Sequence, residues 1–127
     1  MSDVVIDNSA AVHFSLNPQS PQPDDVRYYA PELIDIEFAN AMRKLVIRGE
    51  LEAGRVDGVI RRWAASDLIR CPHAFLLPRI WQLRDNITPY DASYVALAEA
   101  LGIPLATADR HLATAAEKYC KVVLIEG

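Results

Sequence analysis

Four acidic residues of this sequence, Asp7, Glu37, Asp91 and Asp109, are the side chains best suited to do chemistry. Two carboxylates about 4 Å apart repel each other by roughly 4 kcal/mol at an effective dielectric of 20. A cluster of four therefore needs protons or cations as compensation. Hard cations such as Mg²⁺ or Mn²⁺ prefer oxygen ligands and retain part of their water. Because such ions activate water and stabilise charge on phosphoryl oxygens, the set predicts metal-dependent phosphodiester hydrolysis.

Each of these acids also has an ordinary structural interpretation. Asp7 and Asp109 each precede a predicted helix, where an aspartate side chain caps free backbone N–H groups. Asp91 fits a capping box with Thr88, and Glu37 can be a half-exposed helix residue. Taken singly, the residues leave both interpretations open, and the metal site depends on the four occurring together.

The hydrophobic pattern predicts the elements that would position the acids. Short apolar runs predict strands over residues 3–6, 68–71, 104–107 and 122–125. Apolar spacing of three and four, together with capping residues, predicts helices over residues 10–16, 32–48, 51–65, 76–83, 88–101 and 110–119. Pro31 is interpreted as the first helical residue, and the proline-rich stretch 17–25 as a loop.

Strands that alternate with helices predict an α/β fold with a parallel sheet covered on both faces. In such sheets the ligand site lies outside the carboxyl ends of the strands. Asp7 follows the first strand and Asp109 a later one, so both are expected at one rim. Glu37 flanks the apolar face of its helix and Asp91 occupies the first turn of its own, so both can reach that rim.

Length and composition limit the class of protein. The 127 residues fit one domain, 1–127. Seventeen acidic and thirteen basic residues give a formal charge of −4, which argues against a general nucleic-acid binder. Neither the cysteines nor the histidines have metal-ligand spacing. No apolar run approaches the roughly 20 residues that span a bilayer, and no signal peptide is evident, so a cytoplasmic location and no membrane partner are expected.

Four segments cover nearly the whole chain: VVIDNSAAV, APELIDIEFANAMRK, RIWQLRDNITPYDASYVALAEALGIPL and ATADRHLA. In this order and at this spacing they resemble PIN domains, and most closely the VapC toxins of bacterial toxin–antitoxin pairs. The resemblance implies a single PIN domain with a three-layer α/β/α fold around a central parallel sheet of four or five strands. It also implies an endoribonuclease that depends on Mg²⁺ or Mn²⁺.

The resemblance also assigns roles to individual residues. The catalytic and metal-binding acids of the family fall on Asp7, Glu37, Asp91 and Asp109. Positions that support those acids through hydrogen bonds fall on Ser9, Asn40 and Thr107.

Partners follow from the same resemblance: an RNA substrate, a second copy in a homodimer, and a cognate antitoxin of the VapB kind. The tail of such an antitoxin typically lays apolar residues into a groove. Trp63 and Trp81 are candidates to line it, although ordinary packing is the more frequent role of a tryptophan. Three arginines are candidates for phosphate contacts or for ordinary ion pairs: Arg79, Arg84 and Arg110.

Several interpretations stay open at this point. Helical spacing makes the stripe Tyr90, Tyr94, Leu97 and Leu101 part of the core or of a dimer interface. A PIN-like nuclease acting on DNA and a PIN-like module that binds a partner without cutting are the alternative functions. The RNA that is cut and the role of the loop 17–25 are not specified by the sequence.

Overall fold

The structure is a computed structural model that describes residues 2–19 and 25–126. Its strands are β1 (Ser2–Ile6), β2 (Val26–Pro31), β3 (Ile69–Cys71), β4 (Leu105–Thr107) and β5 (Val122–Leu124). Its helices are α1 (Asn8–Leu16), α2 (Ile34–Ile47), α3 (Ala53–Ala64), α4 (Leu77–Gln82), α5 (Pro89–Leu101) and α6 (Arg110–Ala116). A short 3-10 turn, Ala74–Leu76, leads into α4. Within the described ranges, no helix has the length and apolar character needed to cross a bilayer.

The five strands form one parallel sheet in the order β3-β2-β1-β4-β5. The chain extends the sheet from β1 to β3 in one direction and then returns to add β4 and β5 on the other side of β1. Right-handed crossovers therefore place α1, α2 and α3 on one face and the later helices on the other. This confirms the predicted three-layer α/β/α fold.

The end of β1, the whole of β4 and most of α5 are deeply buried. Val5 and Ile6 at the end of β1 are 0% and 4% exposed, as expected of a central parallel strand covered on both faces. Every residue of α5 from Ala92 to Ala98 is buried, because this helix packs against three strands and against α4. Asp7 directly follows β1 and Asp91 lies in the first turn of α5, so both acids are attached to buried elements.

The strand order reverses between β1 and β4, which makes the carboxyl ends of these strands the expected place for a ligand. In the register of this pair, Val5 lies beside Leu105 and Ile6 beside Ala106. The backbone N–H of Asp7 then donates to the carbonyl of Ala106 at 3.2 Å. The strand pairing therefore brings Asp7 next to the chain that leads to Asp109.

The sequence prediction was wrong about the region around Pro31. It contained no strand over residues 26–31 and made Pro31 the first residue of a helix, whereas Pro31 is the last residue of β2 and α2 begins at Ile34. The pairing of β1 with β2 extends to Tyr29, while Pro31 pairs with Cys71 of β3. Pro31 thus needs no N–H on the β1 side. Most of the predicted loop 17–25, residues 20–24, lies outside the described residues.

Candidate active site

Asp7 lies at the centre of the carboxyl edge of the sheet and is 4% exposed. Its Oδ1 accepts a hydrogen bond from the backbone N–H of Ala10 at 2.9 Å, so it caps α1. Ser9 Oγ donates to Oδ1 at 2.8 Å, and Thr107 Oγ1 donates to Oδ2 at 2.6 Å. Three donors from two parts of the chain therefore fix the orientation of this carboxylate.

The hydroxyls of Ser9 and Thr107 connect Asp7 to the backbone before α6. Ser9 Oγ accepts from the N–H of Ala108 at 2.9 Å, and Thr107 Oγ1 accepts from the N–H of Asp109 at 3.0 Å. Each hydroxyl has one hydrogen, which points to Asp7, and so offers its lone pairs to the backbone. The two side chains thereby hold the Asp109 loop against Asp7.

Asp109 is exposed and caps α6. Its Oδ1 accepts from the N–H groups of His111 at 2.9 Å and of Leu112 at 3.2 Å. No described residue hydrogen-bonds to its Oδ2. The capping role expected of this residue and a role in the site are therefore compatible, because they use different oxygens.

Glu37 and Asp91 approach the same edge from two helices. Glu37 is a half-buried residue of α2, and its Oε1 accepts a short hydrogen bond from the hydroxyl of Tyr94 on α5. Asp91 is half-buried in the first turn of α5. That turn is fixed by Thr88, whose Oγ1 accepts from the Asp91 N–H at 3.3 Å. The Asp91 carboxylate itself receives no hydrogen bond from the described residues.

The electrostatics of the four acids indicate that they form one site. Burial raises the pKa of Asp91 to about 6, and the charges of Asp109, Asp7 and Glu37 contribute to the rise. Burial also raises the pKa of Asp7, although hydrogen bonds to its carboxylate act in the opposite direction. The pKa of Glu37 is raised by burial and by the charge of Asp7, against the hydrogen bond from Tyr94. Negative charge at this edge is therefore incompletely compensated.

The donor set fits a hard divalent cation. All four side chains offer oxygen, which Mg²⁺ and Mn²⁺ prefer. In the part of the chain that the structure describes, no three Asp, Glu, His or Cys side chains lie close enough to bind one ion together. Mg²⁺ usually keeps several waters and takes only one or two carboxylates directly, so this spacing is suited to an ion held partly through water.

The residue predicted to support the acids, Asn40, and two of the arginines considered for phosphate contacts, Arg79 and Arg110, have different surroundings. Asn40 is exposed on α2, and its side chain forms no hydrogen bond with the described residues, so its supporting role stays a prediction. Arg79 pairs with Glu99 at 2.8 Å, and Arg110 pairs with Glu126 at 3.2 Å. These two arginines are thus engaged in ion pairs in this structure.

Two side chains near the acids were not assigned to the site from the sequence. Tyr94, expected in the core or a dimer interface, is 1% exposed but bonds Glu37 through its hydroxyl. His111 acts electrostatically on Asp91, in the direction that lowers the pKa of this carboxyl, which places the histidine near the site. A signal for Tyr94 was present: it lies one helical turn after Asp91, and a buried tyrosine hydroxyl usually has a partner.

A groove of about 720 Å³ lies between α1 and α3 and over the beginning of β2; we call it the α1–α3 groove. Its apolar lining includes Phe14, Tyr28, Val59, Trp63 and Leu68. It extends to Ile6, the residue before Asp7. Charged side chains also line it: Arg27, Arg62 and Asp67.

The two tryptophans differ in their relation to the α1–α3 groove. Trp63 lines it and stacks on Phe38 with ring centroids 4.3 Å apart. Trp81 is not among the lining residues and is 63% exposed. The guanidinium of Arg84 lies 4.4 Å from the centre of the Trp81 ring. Only Trp63 therefore occupies the predicted position.

Comparison with known proteins gives relatives over nearly the full length of the chain. No protein-family model matches it. It is 36% identical over 124 residues to ribonuclease VapC9 of Mycobacterium tuberculosis, a match covering 96% of this chain and 98% of that protein. Ribonuclease VapC12 of the same species is 32% identical over 127 residues, with the same coverage of 96% and 98%. The solved structure of PAE2754 from Pyrobaculum aerophilum is similar in fold, with a TM-score of 0.72 at 22% identity, covering 96% of this chain and 91% of that one.

Proposed function

The chain belongs to the VapC ribonuclease family, and on that basis we propose that it is a divalent-metal-dependent endoribonuclease and the toxin of a toxin–antitoxin pair. The observation that carries the proposal is the set of four carboxylates at the point where the strand order reverses. The pKa values of Asp7, Glu37 and Asp91 are raised in part by the charges of other acids in the set. None of the four pairs with a lysine or arginine of the described chain. A cation completes such a site.

The side chains proposed to hold Mg²⁺ or Mn²⁺, together with water, are Asp7, Glu37, Asp91 and Asp109. When bound, such an ion activates water and neutralises charge on a phosphoryl oxygen. Asp7 contributes the most rigid carboxylate, because three donors orient it. Ser9 and Thr107 keep Asp109 at a fixed place beside it. The protein thus supplies a preorganised acidic edge for the cation, and the bound cation would meet the phosphodiester group.

The proposal is tested by incubating the purified protein, free of antitoxin, with bulk cellular RNA in Mg²⁺, in Mn²⁺ and in EDTA. We expect cleavage only with metal. Asp7→Asn should lower the rate at least about 100-fold, the upper end of what outer hydrogen-bonding partners of a metal site contribute. Asp3→Asn is the matched control, since Asp3 lies four residues before Asp7, on β1, but pairs with Arg27 at 2.8 Å.

The alternatives give different results in the same assay. Equal cleavage of a DNA of the same sequence would favour a DNA-acting nuclease. Full activity of the Asp7→Asn protein would refute the four-carboxylate site. The absence of cleavage, together with no rise in Tm on adding millimolar metal, would favour a binding module without catalysis.

The α1–α3 groove is the surface proposed to receive the cognate antitoxin. Its apolar lining suits an apolar segment, and its charged margin suits polar flanking residues. Ile6 is the lining residue next to Asp7 in the chain, and none of the four acids lines the groove. A segment seated in the groove would cover the acids only by extending beyond it towards the carboxyl edge of the sheet. The homodimer stays a prediction.

Antitoxin binding in this groove is tested with Leu68→Asp, which puts a charge on the apolar lining. We expect its affinity for the antitoxin, measured by titration calorimetry, to fall at least about tenfold, as for an anchor residue of an interface. Trp81→Ala, at an exposed aromatic residue outside the groove, should bind normally. The opposite pattern would place the antitoxin elsewhere.

A further inference from the structure

Tyr94 has an unusual combination of a buried ring and a hydroxyl that reaches the acids. It is among the largest fully buried side chains of the protein, at 1% exposure. Its neighbours along α5, from Ala92 to Ala98, are all buried as well, and α5 packs against β1, β2 and β4. A side chain enclosed in this way keeps one rotamer, so the position of its hydroxyl oxygen is set by the core.

Glu37 lies at the other end of the hydrogen bond and has the opposite character. It is half-buried on α2, and a glutamate side chain has enough rotatable bonds to lose considerable entropy when it is fixed. The hydroxyl of Tyr94 donates to its Oε1. No described residue hydrogen-bonds to Oε2, which leaves that oxygen available to a ligand.

We propose that Tyr94 is a positioning residue of the active site, which fixes the carboxylate of Glu37 so that its second oxygen is presented to the divalent ion. The inference rests on the proposed function, because it concerns the same metal site. It adds to that site a residue that touches neither the ion nor the RNA.

In this arrangement one helix, α5, positions two of the acids. Asp91 belongs to the first turn of α5, and Tyr94 follows one turn later. Helix α5 therefore sets Asp91 through its own backbone and Glu37 through the Tyr94 hydroxyl. Since α1, α2 and α3 form one group of mutual contacts and α5 packs with α4, this bond also connects the two helical layers at the edge where the acids lie.

The test is Tyr94→Phe, which removes the hydroxyl and keeps the buried ring. We expect the affinity for Mn²⁺, measured by titration calorimetry without RNA, to fall about tenfold or more, as when an outer partner of a metal ligand is lost. The Mn²⁺ concentration for half-maximal cleavage should rise by the same factor, with KM for RNA unchanged. Tyr119→Phe is the control, because Tyr119 lies just before β5, at the opposite edge of the sheet, and should behave as the wild type.

A double-mutant cycle separates positioning from a general structural role. If Tyr94 acts through Glu37, the Tyr94→Phe, Glu37→Gln double variant should bind Mn²⁺ no more weakly than Glu37→Gln alone. Additive losses, or an unchanged Mn²⁺ affinity of Tyr94→Phe, would overturn the inference. If Tyr94→Phe does not fold, the ¹³C-labelled tyrosine signals of the wild type decide: the Tyr94 signal should shift on titration with Mg²⁺, and a constant signal would overturn the inference.

Failure of the proposed function gives a different result from failure of this inference. Wild-type protein that binds Mn²⁺ but cleaves no RNA would refute the nuclease activity, and Tyr94 would still be judged by Mn²⁺ binding. Wild-type protein that cleaves RNA while Tyr94→Phe keeps the wild-type Mn²⁺ affinity would refute only the role of Tyr94. A wild type that binds no divalent ion would overturn both.

Discussion

Asp35 and Asp91 are both half-buried aspartates in the first turn of a helix, but their surroundings differ. Asp35 pairs with Arg70 at 2.9 Å and also accepts from Trp63 Nε1 at 2.7 Å. Asp91 receives no hydrogen bond at its carboxylate from the described residues. Its pKa rises to about 6, because burial and three other carboxylates disfavour its anion.

The difference between these two aspartates comes from other elements of the fold. Strand β3 and helix α3 provide Asp35 with a cation and a donor, which makes it a link between secondary-structure elements. The acids whose charges act on Asp91 lie just after β1, on α2 and at the cap of α6. A carboxylate such as Asp35, which has an ion pair and a hydrogen bond within the protein, stabilises the fold. A carboxylate such as Asp91, which is close to other carboxylates, is available to an external cation.

Of the substitutions at these two aspartates, Asp35→Asn is expected to change the free energy of unfolding the most. Asp35→Asn leaves Arg70, whose side chain is 23% exposed, without its charged partner. Thermal or urea unfolding should show a loss of about 1–2 kcal/mol. This is less than the roughly 1.5–3 kcal/mol of a buried hydrogen bond to a charged group, because the Asp35 side chain is 39% exposed and solvent screens the pair. The change in Tm on adding Mn²⁺ should equal that of the wild type.

The control for Asp35→Asn is Asp3→Asn, in a more exposed ion pair. The Arg27 side chain is 52% exposed there, and a surface pair contributes about 0–1 kcal/mol. Equal losses of unfolding free energy in the two variants would show that Asp35, Arg70 and Trp63 stabilise the fold no more than an exposed ion pair does.

The substitution Asp91→Asn is expected to have a smaller effect on stability, and of opposite sign. In metal-free protein at pH 7.5, Asp91→Asn should raise the Tm, because it removes a charge that burial and neighbouring carboxylates disfavour. The positive end of α5 favours an anion there by about 0.3–1 kcal/mol, which reduces the gain but does not cancel it, since the pKa still rises. Saturating Mn²⁺ should stabilise the wild type more than the variant.

The difference in Tm between metal-free Asp91→Asn and the metal-free wild type should depend on pH, because the pKa of Asp91 is raised. Its carboxyl holds a proton up to about pH 6 in the folded protein and up to about pH 4 in the unfolded chain. The folded state thus binds more protons between these values, and this contribution to stability is lost as the pH rises through 6. The Tm advantage of metal-free Asp91→Asn should be small at pH 4 and complete above pH 7. A constant difference across this range would contradict the raised pKa.

The sequence was sufficient to predict the positions of the acids that directly follow strands. Asp7 and Asp109 follow β1 and β4, and the position of the ligand site in a parallel sheet is a general rule. The orientation of Glu37 could not be predicted, because it depends on the packing of α5 and not on the sequence around Glu37. Only the folded structure reveals that Tyr94 reaches it.

Strand β2 was missed because its local pattern is ambiguous. Arg27 interrupts its apolar residues, and Pro31 before an apolar helical stripe is typical of a helix start. The pair Tyr28-Tyr29 did favour a strand, but the strand is determined by pairing with β1 and β3 on its two sides. Such long-range pairing leaves little trace in a short segment.

The bond between Asp7 and Thr107 joins residues 100 positions apart. During translation at about 5–20 residues per second, Asp7 is therefore made roughly 5–20 s before the threonine that orients it. Strand β4 must pair with β1 before the Asp109 loop can be held in place. The acidic edge consequently assembles only after β4 has been made, and a growing chain that has not reached β4 lacks a complete site.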